Sequence, residues 1–184
     1  ERAEYLASLR NIYLRKIREL NSVFPVDYAI IVDLDLEGGW SYDGVLDSFS
    51  YPGWSAMTGN GLLFREKKVT FNGHAEVEYE RLFFDTWAYR EYGAESLPSS
   101  EETNLKNFER GEPPFEVFSN FNGIAIYKYS DLEKCEYGAR DNGDDTVTCD
   151  HPFLHKQMRD LGCNIYLNPS MISLYSPHEF SAQL

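Results

Sequence analysis

Residues 28–35 read Tyr28-Ala29-Ile30-Ile31-Val32-Asp33-Leu34-Asp35, and this stretch decides the fold class. An apolar run of strand type ends in two carboxylates separated by one residue. The interior of a buried strand has no use for Asp33 and Asp35. The C-terminal end of such a strand does, because that is where α/β sheets place their ligands. Residues two apart on a strand share a face, so both carboxylates can address one crevice. Two carboxylates in one crevice call for a divalent cation. Hard oxygen donors on an open edge favour Mg²⁺ or Mn²⁺, with phosphate oxygens completing the shell. A metal beside a diphosphate points to an activated nucleotide ligand. The same two residues would also suit the cap of a turn into Gly38-Gly39.

Composition narrows the field. At 184 residues the chain suits one domain with a full core. It carries 17 basic and 30 acidic residues, a net charge of −13. Such a surface repels nucleic acid and anionic membrane, so neither is expected as a partner. A nucleotide is still acceptable where a metal and a few Arg or Lys offset its phosphates. No apolar run approaches the ~20 residues of a membrane span, and no signal peptide is evident. Aromatic residues make up 15% of the chain; a buried core accounts for most of them, and sugar stacking is the other use. Cys135, Cys149 and Cys163 are odd in number and fit no zinc spacing. A reducing, cytoplasmic setting is the simpler reading; a Cys135–Cys149 bridge is the alternative.

Outward from residues 28–35, the pattern is that of an α/β domain. Residues 1–22 predict an amphipathic helix whose apolar positions are Leu6, Leu9, Tyr13, Ile17 and Leu20. The first strand then arrives only near Val26, so we expect a preceding segment carrying a first βαβ half. Val45 to Phe49 predicts a short helix, and Trp54 to Thr58 a strand ended by Gly59-Asn60-Gly61. Val69 to Phe71 and Val77 to Phe84 have strand character around the turn Asn72-Gly73. Pro98 to Pro114 is polar and broken, which predicts a mobile loop. Phe115 to Ser119, Ile124 to Tyr127 and Ile165 to Leu167 predict strands. Residues 139–148 predict a polar loop, whose Asp141-Asn142-Gly143-Asp144-Asp145 mimics a calcium loop but lacks the ligand spacing of an EF-hand. Phe153 to Leu161 predicts a short helix stopped by Gly162, with His151 at its N-cap and Pro152 at its first position.

An Arg10-Asn11 helix some twenty residues ahead of Asp33-Leu34-Asp35 resembles the nucleotide-sugar core of GT-A-fold glycosyltransferases. Phe84-Asp85-Thr86-Trp87-Ala88-Tyr89-Arg90, Phe121-Asn122-Gly123-Ile124-Ala125-Ile126-Tyr127, and Cys149-Asp150-His151-Pro152-Phe153-Leu154-His155 followed by Asn168-Pro169 sharpen the match. Together they resemble the capsule-associated mannosyltransferase-like enzymes of fungi and their relatives in large DNA viruses, over roughly residues 1–175. Asn122 departs from the resemblance, which leads us to expect a second small residue there.

The resemblance implies a Rossmann-like mixed sheet flanked by helices, in one domain over 1–184. It implies a metal-dependent glycosyltransferase that moves a sugar from a UDP- or GDP-type donor to a hydroxyl of a glycan or glycoprotein. Localisation would be cytoplasmic, the host cytoplasm if the chain is virus-encoded, or the Golgi lumen if a preceding anchor exists. Arg10, Asn11, Asp33, Asn122 and Gly123 would contact the donor. Asp33, Asp35 and His155, with His151 as the alternative, would hold Mn²⁺ or Mg²⁺; an imidazole ligand favours Mn²⁺. Asp150 would be the base, with Asp85 next in line. Trp40, Trp54 and Trp87 are the candidates for stacking on sugar, although each equally suits a core. A non-catalytic sugar- or calcium-binding module is the competing reading, and a nucleotidyltransferase with an acidic metal pair a third.

Overall fold

The structure, a computed structural model, describes residues 2–141 and 147–175. Strand β1 (Tyr28–Val32) forms where its apolar run predicts it. Ala29 and Ile31 enter the core, whereas Tyr28 and Ile30 are exposed. This alternation fits an edge strand paired on one side only. Its partner is β6 (Ile124–Lys128), which lies antiparallel to it. β6 is buried on both faces, as the apolar character of 124–127 requires.

The sheet is open, mixed and seven-stranded. Its order is β1, β6, β2 (Ala56–Phe71), β9 (Ile165–Tyr175), β5 (Phe115–Ser119) and β4 (Arg90–Glu91), with β3 (His74–Phe83) hairpinned onto β2. β2 and β9 run parallel; every other pairing is antiparallel. Side chains alternate between the faces along β6. Ala125 and Tyr127 join the core under helices α1 (Arg2–Asn21) and α5 (Asp150–Asp160). Ile124 and Ile126 meet Met57, Met171 and Val45 of helix α2 (Tyr42–Ser48) on the other face. Helices therefore flank the sheet on both sides. Two short helices, α3 (Ser100–Asn104) and α4 (Tyr129–Leu132), lie in the connections. No helix among the described residues is long and apolar enough to cross a membrane.

Several expectations are corrected. The buried stripe of α1 is Ala3, Ala7 and Leu14, while Leu9 and Leu20 face outward. Small alanines allow the helix to sit close to its neighbours, and the stripe's period carries Arg10 inward as well. Gly59-Asn60-Gly61 does not end β2. The strand bulges between Thr58 and Asn60 and continues to Phe71. Gly61 answers to packing rather than a turn, because a Cβ there would lie 2.1 Å from Asn122 Oδ1. The turn is at Asn72-Gly73, both at positive φ, as a two-residue hairpin loop demands.

Strand β9 extends through Asn168-Pro169 to Tyr175, with residues 168–171 bulging out of the β2 register. The bulge accommodates a proline that cannot donate to the ladder. The segment 98–114 includes α3, capped by Ser99. Helix α5 starts at Asp150 with Cys149 at its N-cap, ahead of His151. The polar loop is bracketed by a two-stranded pair, β7 (Arg140–Asp141) and β8 (Val147–Thr148); its residues 142–146, and with them most of the calcium-like stretch, lie outside the described residues.

Candidate functional site

At the C-terminal end of β1 the chain leaves the sheet. The Asp33 N–H donates to Gly123 O across the β1–β6 pair at 2.9 Å, which fixes the first carboxylate against the Asn122-Gly123 turn. Here a cleft of about 400 Å³ opens. One wall is α1, through Arg2, Leu6 and Arg10, each four residues from the next. Asp33 and Asp35 form the second wall. Asp85, Trp87 and Ala88 follow from the loop after β3, and Cys149, Asp150 and His151 from the start of α5. Phe121, Phe84 and Tyr175 supply apolar surface, the last two stacked with centroids 3.6 Å apart.

Arg10 organises this cleft. Its Nε lies 2.6 Å from Asp150 Oδ2, and its Nη2 lies 3.5 Å from Asp33 Oδ1. Its Nη1 donates to His151 Nε2. The guanidinium rests over the rings of Phe121, at 4.9 Å, and Tyr137, at 5.6 Å. Burial works against its charge, but Asp150 and Asp33 more than offset that, so Arg10 is held more firmly charged than usual. His151 is buried, stacked on Phe121 at 3.8 Å. Burial, then Arg10, pushes its pKa well below the ordinary value. It is therefore neutral, and accepting at Nε2 assigns its proton to Nδ1.

The carboxylates crowd one another. Burial first, then Asp35, Asp85 and Asp150 against the pull of Arg10, pushes Asp33 up to about 6. Burial also raises Asp150, opposed by Arg10. Asp85 is raised by burial despite two backbone donors, the N–H of Asn122 to Oδ2 at 3.0 Å and of Ala88 to Oδ1 at 3.3 Å. Asp85 and Asn122 both adopt positive φ, at 50° and 54°. The Asp85 carboxylate thus ties together two left-handed backbone positions.

Other anticipated residues stand elsewhere. Asn11 does not reach the cleft; its carboxamide pairs both ways with the backbone of Tyr137, at 2.8 and 2.9 Å. Asn122 is buried, with its Nδ2 on Asn120 and its carbonyl on Ser173 Oγ. A Gly at that position would lose the side-chain bond to Asn120 but keep the backbone carbonyl that Ser173 meets. Gly123 offers backbone only, through the bond to Asp33. His155 is fully buried, and its two ring nitrogens meet Ser119 Oγ at 2.9 Å and Tyr127 OH at 3.0 Å. Burial, then Arg159, lowers its pKa to about 3. With neither nitrogen free, it is not available as a metal ligand; His151 has Nε2 engaged by Arg10, while its Nδ1 is buried with no hydrogen-bond partner among the described residues. Trp54 is core, its indole N–H donating to Ser48 O. Trp40 bridges to Ser173 outside the cleft. Trp87 alone of the three tryptophans lines it. All three cysteines are free thiols, so the Cys135–Cys149 bridge is not formed; Cys149 Sγ donates to Trp87 O.

Sequence reasoning missed Arg2, Leu6, Phe121 and Tyr175 as lining. Arg2 and Leu6 carried a usable signal, since they lie eight and four residues ahead of Arg10 on the same helix face. No protein-family model and no curated protein sequence matches this chain.

Among the described residues, no three His, Cys, Asp or Glu side chains form a ready-made metal-binding group. The donor chemistry nonetheless fits a hard cation. Asp33 and Asp35 offer oxygen ligands beside two further carboxylates, Asp85 and Asp150, against the one guanidinium of Arg10, which pairs with Asp33 and Asp150.

Proposed function

We propose that this chain is a metal-dependent glycosyltransferase with a GT-A-like sheet, moving a sugar from a nucleoside-diphosphate donor to an acceptor hydroxyl. One observation supports the reading above others. Segments far apart in the sequence converge on one cleft: Arg10, Asp33 with Asp35, Asp85 with Trp87, Phe121, and Asp150 with His151. These are the segments that carry the resemblance to the capsule-associated mannosyltransferase-like enzymes.

Asp33 and Asp35 would hold the cation, and when bound it would supply charge stabilisation to the departing diphosphate. The proposed ligand set contains only oxygen donors from the protein, so the preference for Mn²⁺ drawn from a histidine ligand lapses, and Mg²⁺ suits equally. Asp150 is our candidate base. It faces the cleft, its proton affinity is raised by burial, and Arg10 fixes its orientation. It takes the hydroxyl proton as the acceptor oxygen bonds to the anomeric carbon and the bond to the diphosphate oxygen breaks, which inverts the anomeric centre. Asp85 is the weaker candidate, because both of its oxygens already accept backbone N–H groups. Trp87 offers a face to the sugar ring.

The test is titration of UDP and GDP into the protein with Mg²⁺ or Mn²⁺. Binding should depend on the cation, and Asp35→Asn should abolish that dependence while the unfolding transition stays put, since Asp35 is exposed. Equal nucleotide affinity in the variant and the parent at saturating metal refutes the reading. A sugar- or calcium-binding module would instead bind with no need of a nucleotide.

A further inference from the structure

Arg10 is the cation that the sequence pattern nominates for the diphosphate, yet it is already satisfied. It has a carboxylate on two sides, a histidine nitrogen on a third, and aromatic rings against its plane. Drawing it onto a phosphate would strip Asp33 and Asp150 of their counter-charge in a buried setting, which is costly. The cleft holds four carboxylates, and a divalent cation still leaves the region negative. A diphosphate entering there needs another cation.

Arg2 is in position to be that cation. It lines the same cleft from the same helix face as Leu6 and Arg10. It lies two turns from Arg10, about 12 Å along the axis. It makes no hydrogen bond or ion pair among the described residues, whereas Arg10 has several. Its side chain is exposed at the cleft's mouth, so binding an anion there requires no existing pair to break. A guanidinium with all its donors available matches phosphate oxygens in a two-pronged geometry that an ammonium lacks.

Building on the proposed function, we infer that Arg2 is the donor-binding arginine, contacting the phosphate oxygens of the nucleoside diphosphate, while Arg10 orders the carboxylates. Inorganic pyrophosphate with saturating Mg²⁺ is the minimal probe, measured calorimetrically on the whole chain. Arg2→Ala should weaken it about tenfold, and Arg2→Lys by less. Arg15→Ala removes an equal charge from an exposed position of α1 outside the cleft, and should leave the affinity within about twofold of the parent, since distant surface charge is screened. Both Arg2 variants should keep the parental Tm. If the parent binds pyrophosphate and Arg2→Ala binds it equally well, or if Arg15→Ala loses as much, the inference fails and the site reading stands. If the parent binds neither pyrophosphate nor UDP or GDP with metal, both fail. A lowered Tm in Arg2→Ala would overturn the premise that Arg2 has no structural partner.

Discussion

Replacing Asp33 by Asn should stabilise the metal-free protein and disable it. The Asp33 carboxyl is raised from an ordinary 3.8 to about 6. Ionising it in the folded state therefore costs stability, the reverse of the usual salt-bridged aspartate. Between those two values the native state binds more protons than the unfolded chain, so stability falls as pH rises through that window and stays lowered above it. Unscreened, the difference corresponds to roughly 3 kcal/mol at neutral pH. The Asp33 side chain is 34% exposed, and solvent screening reduces the figure to about 1–2 kcal/mol. Urea unfolding of parent and Asp33→Asn at a series of pH values from about 4 to 8 is the assay. The variant should match the parent near pH 4 and exceed it by about 1–2 kcal/mol above pH 7, a gain of a few degrees in Tm. Saturating Mg²⁺ should reverse the order, because only the parent gains binding energy from the ion. A variant less stable than the parent at pH 7.5 without metal, or a difference independent of pH, refutes the electrostatic account of the cleft.

Asn11→Ala should cost about 1–3 kcal/mol, because it leaves the peptide groups of Tyr137 without partners; chemical denaturation measures the loss, and nucleotide affinity at saturating metal should be unchanged. His155→Ala removes partners of Ser119 and Tyr127 in the core and should destabilise by about 2–4 kcal/mol without altering metal affinity, which isothermal titration would establish. Asp150→Asn should spare donor binding and reduce turnover by about 10²–10⁴-fold, read from single-turnover rates once an acceptor is in hand; near-parental turnover would shift the base elsewhere.

The features that could be read without coordinates were those whose signal is local. A strand ending in Asp33-Leu34-Asp35, an amphipathic helix carrying Arg10 and a hairpin at Asn72-Gly73 each depend on a few neighbouring residues. The errors arose where a distant partner decides the outcome. Gly59-Asn60-Gly61 has the composition of a turn, yet Gly61 is small because Asn122 lies against it. Leu9 and Leu20 fit a helical stripe as well as Ala7 and Leu14 do, and only the packing of α1 chooses between them. His155 and Asn11 have the chemistry of ligands, but hydrogen bonds to residues 36 and 126 positions away absorb both. Val69 to Phe71 has strand character, but the whole outer half of β2, residues 64–71, is rich in charge and lies on an exposed ribbon, where burial gives no pattern to follow.

That ribbon has a consequence for how the chain folds. β2 pairs with β3 over ten consecutive residue pairs, from Leu62–Phe83 to Phe71–His74. These contacts close the shortest of loops, and hairpins of this kind form within about 1–10 μs. The inner half of β2 must instead align with β9, with Ala56 beside Ile165, across more than a hundred intervening residues. Such parallel pairing is slow, since loop closure precedes any reward. One strand therefore belongs to both the earliest and the latest structure to form. An early hairpin would hold β2 extended and correctly faced, a ready template on which β6 and then β9 can add.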